Sequence, residues 1–144
     1  MKLLFIDTSS LFKFYYPESG SDAVEARLAQ AERLSISELS RLEFLSIVAR
    51  KVRMRDIDRK QYTRLMSAFD EDCLSRMYVM IPVNGEVLDE ARSLMERLGL
   101  QNPLRTLDSL QLACAMRSGA EDFLCHDTRL AEMAEQIGLH VVNS

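Results

Sequence analysis

The chain has 144 residues, 47% of them hydrophobic, and a formal net charge of −4 from 18 basic and 22 acidic side chains. That length suits one domain around one core, spanning residues 1–144, and the apolar content excludes a disordered chain. No apolar run reaches the roughly 20 residues of a membrane span, no signal-peptide core follows Met1, and three scattered cysteines form neither a disulfide framework nor a zinc signature, so a cytoplasmic protein is expected.

Leu3–Ile6 is a short continuous apolar run, as in a central strand covered on both faces. A helix is predicted over residues 8–16, stopped by Pro17 and Gly20, and another over residues 22–31. Leu34, Ser35 and Ile36 read as a second strand. Ser37 is placed to cap a helix over residues 38–52, whose apolar positions Leu39, Leu42, Leu45, Val48 and Ala49 follow three-and-four spacing. Asp56 or Asp58 starts the next helix, to about Cys73. Tyr78–Ile81, closed by Pro82, is a third strand. Asn84 caps a helix that Gly99 closes, and Thr106 is placed to cap one that Gly119 ends. Residues 123–125 read as the fourth strand, residues 128–137 as the last helix, and His140, Val141 and Val142 as the fifth strand. Strands alternating with helices demand parallel pairing and helices on both faces. The expected class is α/β, a three-layer α/β/α sandwich around a central, mostly parallel five-stranded sheet.

In such sheets ligands bind beyond the carboxyl ends of the strands, and four acids fall along that rim. Asp7 ends the first apolar run, Glu43 interrupts the apolar stretch of residues 39–49, Asp108 opens an apolar helix pattern, and Asp127 follows the fourth strand. Each has an ordinary explanation. Asp7 and Asp127 can cap helices. Asp108 suits a first helical turn, by roughly 0.3–1 kcal/mol. Glu43 can pair with Arg50. Taken together, carboxylates on one rim with no cation in their local sequence call for a hard divalent ion. Mg²⁺ takes oxygen ligands and keeps several waters, and such an ion acidifies a water and neutralises charge on a phosphate under attack. Without these four, acidic and basic residues balance at 18 each. Ser9 and Thr106 are nearby hydroxyls that can orient a ligand or a water, or simply cap. Arg41, Arg50, Lys51, Arg53, Arg55, Arg59, Lys60 and Arg64 fall in one stretch, either a track for a phosphate backbone or, with Asp56 and Asp58 mixed in, a solvated pair of helices.

These residues resemble the PIN domain, most closely the VapC-like toxins of toxin–antitoxin pairs, over nearly the whole chain. Residues 4–9 (Leu-Phe-Ile-Asp-Thr-Ser) are similar to the family's opening strand and first acid, and residues 36–43 to its second strand and second acid. Residues 104–113 resemble its third-acid helix, and residues 123–130 its fourth-acid strand and turn. The resemblance implies a PIN-like fold and an endoribonuclease dependent on Mg²⁺ or Mn²⁺. It makes Asp7, Glu43, Asp108 and Asp127 metal ligands or water-positioning acids. It also implies an RNA substrate, a homodimer and inhibition by a cognate antitoxin, while the short apolar runs lead us to expect no membrane partner. The chain departs from the family where Cys125 replaces a common Thr two residues before the fourth acid, and where His126 stands as an exposed loop residue or a phosphate contact.

A competing reading is a non-catalytic PIN-fold interaction module, which the acidic balance and eight methionines also suit, although methionines fill cores as well. A phosphoaspartate receiver needs a late lysine, and none follows Lys60; a haloacid-type phosphatase needs Asp-x-Asp, and the third position is Ser9. Crowded like charges raise one another's pKa. Mg²⁺ is therefore expected to raise the melting temperature, and Asp108→Asn to stabilise the metal-free protein.

Overall fold

Five short apolar runs lie side by side in a computed structural model that describes residues 2–143. The order along the chain is β1 (Leu3–Ile6), α1 (Thr8–Tyr15), α2 (Ser21–Gln30), β2 (Arg33–Ser37), α3 (Ser40–Arg53), α4 (Arg59–Leu74), β3 (Tyr78–Ile81), α5 (Gly85–Leu98), α6 (Thr106–Ser118), β4 (Asp122–Leu124), α7 (Thr128–Gln136) and β5 (Val141–Val142). Every pairing in the sheet is parallel, in the order β3-β2-β1-β4-β5. The mostly parallel sheet expected from the sequence is therefore wholly parallel.

β1 is hydrogen-bonded on both sides, and its side chains alternate between two cores. Leu4 and Ile6 join a cluster with α1, α2, α3 and α4, while Phe5 joins one with α5, α6 and α7. Phe5 meets Phe123 of β4 at 5.8 Å between ring centroids. Burying one such side chain contributes about 1.5–3 kcal/mol, and both faces of β1 are buried this way, as its unbroken apolar run requires. On β2 the same alternation puts Leu34 and Ile36 in the first core. Ser35 and Ser37 are buried too; Ser35 donates to the Leu4 carbonyl at 3.2 Å and Ser37 accepts from Cys114 of α6 at 3.2 Å.

This topology positions the site. From β1 the sheet grows one way to β2 and the other way to β4. The helix after β1 packs in the first core and the helix after β4 in the second. The chain thus diverges to opposite faces between β1 and β4, the switch point where open parallel sheets form a crevice. Asp7 and Asp127 are the N-caps of those two diverging helices.

Several boundaries differ from the sequence reading. Ser37 does not cap α3, which begins at Ser40 with no side-chain cap bond. The Glu38 N–H is already bonded to the Ile81 carbonyl at 2.8 Å, extending the β2–β3 pairing, and its carboxylate accepts from Val83 N at 3.2 Å, so the chain turns before it can coil. The buried face of α3 is Ser40, Phe44 and Val48, and Leu42 is 66% exposed. Asp58, not Asp56, caps α4, in a reciprocal pair with Gln61. Thr106 is the first residue of α6 and not its cap; the Arg105 N–H is met by Asp108 at 3.1 Å. Gly99 closes α5 in right-handed backbone, whereas Gly119 ends α6 at φ 71°. Among the described residues no helix is long and apolar enough to cross a membrane.

Candidate functional site

Asp7 is buried, 4% exposed, directly after the last residue of β1. Its Oδ1 accepts from Ser10 N at 3.2 Å, and its Oδ2 accepts from Ser9 Oγ at 2.7 Å and Ser9 N at 3.3 Å. The capping explanation is therefore true, and it is incomplete: no cation stands beside this carboxylate among the described residues. Burial pushes its pKa above the ordinary value, and the bonds from Ser10 and Ser9 only partly oppose that.

Glu43 sits one turn into α3. The alternative, an ion pair with Arg50, does not form. Instead Thr8 Oγ1 donates to Glu43 Oε1 at 2.7 Å and Gln111 Nε2 donates to the same oxygen at 2.6 Å. Thr8 and Gln111 also bond Ser40 Oγ, at 2.8 and 3.1 Å. This buried polar knot ties α1, α3 and α6 together at the rim. Gln111 is its hub, with a buried Oε1 that has no partner among the described residues.

Asp108 has two cationic partners, one from across the fold and one, Arg105, only three residues before it, so the expectation of no cation in the local sequence fails here. Arg129 of α7 donates from Nη1 to Asp108 Oδ2 at 2.8 Å, and Arg105 reaches the same oxygen from Nε at 3.2 Å and from its backbone N–H. Burial alone would raise this carboxyl; the bonds from Arg129 and then Arg105 outweigh it and hold the pKa below the ordinary value. The expectation that removing this charge stabilises the metal-free protein is thus reversed. Asp127 caps α7, accepting on Oδ1 from Arg129 N at 3.0 Å and Leu130 N at 3.2 Å, and its Oδ2 lies 3.9 Å from Arg129 Nη2.

All four acids line one cavity of about 370 Å³, together with Thr8, Ser9, Gln111 and Arg105. Three of them share a pattern: one oxygen is fixed by donors and the other is left over. Glu43 Oε2 and Asp108 Oδ1 accept no hydrogen bond among the described residues, and Asp127 Oδ2 has only the distant guanidinium. An all-oxygen donor set in which three of the four carboxylates keep a spare oxygen, Asp7 having both of its oxygens bonded, fits a hard divalent ion. Among the described residues no three acidic, histidine or cysteine side chains are close enough to form a ready-made cage.

Ser9 lines the cavity and holds Asp7, whereas Thr106 is exposed, outside the cavity lining, and accepts from Ser109 Oγ through its carbonyl at 2.6 Å. Cys125 is fully buried, and its thiol reaches the Asp127 carbonyl at 3.5 Å. His126 is not an exposed loop residue. Its Nδ1 meets Ser10 Oγ at 2.8 Å, and its backbone N–H donates to the same hydroxyl at 3.1 Å. Gly20, at φ 93°, leaves room for the ring, since a Cβ there would lie 3.3 Å from it. The sequence reading missed Gln111, Thr8, Ser40 and Arg129. One signal was visible: Gln111 is a polar residue inside the apolar pattern that Asp108 opens.

A family profile described as the PIN domain matches residues 4–136. The chain is 29% identical over 144 residues to Ribonuclease VapC46 of Mycobacterium tuberculosis, covering 99% of this chain and 98% of that protein. Its fold is similar to that of M. tuberculosis VapC20, described as a sarcin-ricin loop cleaving toxin, with a TM-score of 0.75 at 15% identity over 98% of this chain and 99% of that one. It is also similar to a chain in the FitAB complex bound to an IR36 DNA fragment, with a TM-score of 0.75 at 16% identity over 97% and 94%.

Proposed function

The chain belongs to the PIN domain family, and from that premise we propose that it is a Mg²⁺- or Mn²⁺-dependent endoribonuclease, acting as one domain over residues 1–144 in the cytoplasm. The observation that carries the reading is the meeting of four carboxylates from separate stretches of chain in one cavity at the sheet's switch point. The ribonuclease name of its 29% identical relative supports RNA as the substrate. When bound, a divalent ion supplies positive charge for the phosphate under attack and acidifies water. The chain's own part is to hold the acids. Ser9 and the α1 backbone fix Asp7, Thr8 and Gln111 fix Glu43, and Arg105 fixes Asp108, with the Arg129 guanidinium adding charge beside it.

The substrate's backbone has a path to this cavity. Ile47 lines it and also a second cavity of about 330 Å³ formed with Arg50, Lys51, Met54 and Asp56. The basic half of α3 thus continues from the acids. Lys51 is held over the rings of Tyr16 and Phe12, at 4.8 and 5.6 Å, which leaves the exposed Arg50 and Arg53 for phosphates. A toxin role, with a homodimer and a cognate antitoxin, is part of this proposal; the VapC name of the 29% identical relative and the fold shared with VapC20, described as a cleaving toxin, support the toxin part.

The test is cleavage of single-stranded RNA with Mg²⁺ or Mn²⁺. Cleavage is expected to need the ion and to vanish in Asp7→Asn while the fold is kept. Cleavage that persists in excess EDTA overturns the proposal. The second reading, a PIN-fold interaction module that cuts nothing, draws on the lack of a ready-made cage among the described residues. Calorimetry separates the two, because no Mn²⁺ binding by the intact protein favours the module.

A further inference from the structure

The two halves of the acid cavity are neutralised differently. Asp7 and Glu43 are held by uncharged donors from Ser9, Ser10, Thr8 and Gln111. Asp108 and Asp127 share the guanidinium of Arg129, 2.8 Å from Asp108 Oδ2 and 3.9 Å from Asp127 Oδ2. That guanidinium is fixed in place. Its Nη1 also donates to the Pro103 carbonyl at 2.8 Å, and the Arg129 backbone N–H is capped by Asp127 at 3.0 Å.

We propose that Arg129 is a built-in counter-cation that neutralises Asp108 and Asp127 in the metal-free protein and competes with a divalent ion for their charge, so that an arginine of the chain itself sets the affinity of the site. The inference rests on the reading of the four acids as metal ligands. Holding Asp108 in place does not require Arg129, because Arg105 anchors the same oxygen from its backbone N–H at 3.1 Å and from Nε at 3.2 Å. Arg105 is 70% exposed and its charge is screened, whereas Arg129 is 31% exposed and lies against both acids. What Arg129 adds is charge. An ion taking the spare oxygens of Asp108 and Asp127 must displace the guanidinium or share the carboxylates with it, and either course weakens binding by Coulomb repulsion.

The experiment is Mn²⁺ calorimetry on the whole chain, paired with melting in EDTA, for wild type, Arg129→Gln and Arg129→Lys. Arg129→Gln is expected to bind Mn²⁺ at least about fivefold tighter, since a like charge beside the ion is gone, and to melt lower in EDTA. Arg129→Lys keeps the charge and is expected to stay near wild type in both measurements. Equal or weaker Mn²⁺ binding by Arg129→Gln, while wild type binds, overturns the inference and leaves the nuclease reading standing. A lysine variant that behaves like the glutamine variant also overturns it. Absence of Mn²⁺ binding in wild type and both variants removes the metal reading and the inference with it. Arginine side-chain NMR of the unmutated protein gives a check that needs no substitution. The Arg129 Nε–H signal is expected to move as Mg²⁺ saturates the site, and a signal that stays in place refutes competition.

Discussion

Replacing Asp108 by Asn asks what balances the acids of the cleft. The side chain is 8% exposed, and its Oδ2 accepts from Arg105 N, Arg105 Nε and Arg129 Nη1 at 3.1, 3.2 and 2.8 Å. Asn keeps the shape and an oxygen for the backbone N–H but loses the charge behind the two guanidinium bonds. A hydrogen bond to a charged group contributes about 1.5–3 kcal/mol and a neutral one about 0.5–1.5, so two such weakenings cost roughly 2–3 kcal/mol before screening. Water offsets part of this, because Arg105 is 70% exposed and Arg129 31%. Relief of repulsion toward Asp127 offsets more. A loss of about 1–2 kcal/mol remains. Unfolding entropy of about 2.1 cal/mol/K per residue then puts the variant roughly 3–7 °C below wild type.

The assay is thermal unfolding in EDTA at neutral pH, repeated toward acid. The native Asp108 carboxyl sits below its ordinary value of 3.8, so as pH falls the unfolded chain takes up this proton before the native one does. The contribution is complete above 3.8 and is lost as pH drops through the lower native value. The gap between wild type and variant is expected to close over that window. An Asn variant that melts at or above wild type in EDTA at pH 7 would refute the arginine-paired account of this acid.

Asp7→Asn carries the opposite sign. Burial raises the Asp7 carboxyl above 3.8, so its ionisation costs stability as pH climbs through the native value; the variant is expected to melt above wild type in EDTA at pH 7 and to lose that advantage as pH falls to 3.8, where the second cap acceptor that Asn lacks is still missing, and a lower melting point at pH 7 would defeat the claim. Gln111→Leu removes one of the two donors that fix Glu43 and is expected to weaken Mn²⁺ binding by about 10–100-fold with helix content unchanged, as for other residues that orient ligands; unaltered affinity would reduce Gln111 to packing. Arg50→Gln with Arg53→Gln is expected to lower the salt slope of RNA binding by about 1.4, near 0.7 per phosphate contact on a single strand, with Mn²⁺ binding untouched; an unchanged slope in filter binding moves the RNA path elsewhere.

The elements were legible because their signals are local. An unbroken apolar run means a strand buried on both faces, and β1 is that, with Leu4 and Ile6 on one side and Phe5 on the other. Asn84 and Asp58 cap the helices their positions promised. The failures are non-local. Ser37 has the look of a cap, but whether it caps α3 depends on Glu38, whose N–H is taken by Ile81, 43 residues away along the chain. Leu42 fits a helical apolar stripe, yet the face of α3 that turns inward is chosen by what Phe44 meets, the rings of Phe69, Phe12 and Tyr15.

The same division runs through the site. Each acid was visible because it interrupts or ends an apolar pattern, which is a property of its own neighbourhood. What neutralises each acid was only partly visible: Arg105 lies three residues before Asp108 and Arg129 two after Asp127, but the partners that cross between elements come from far along the chain. Arg105 stood within reach of Asp108 along the chain, but Arg129 comes to it from 21 residues away once α7 leaves the far side of the switch point. Glu43 looked like a partner for Arg50 on its own helix, and is held instead by Thr8 and Gln111, 35 and 68 residues away. A count of charges made the four acids equivalent. The fold makes them unequal, two held by neutral donors and two sharing an arginine, and that inequality sets opposite signs for Asp7→Asn and Asp108→Asn.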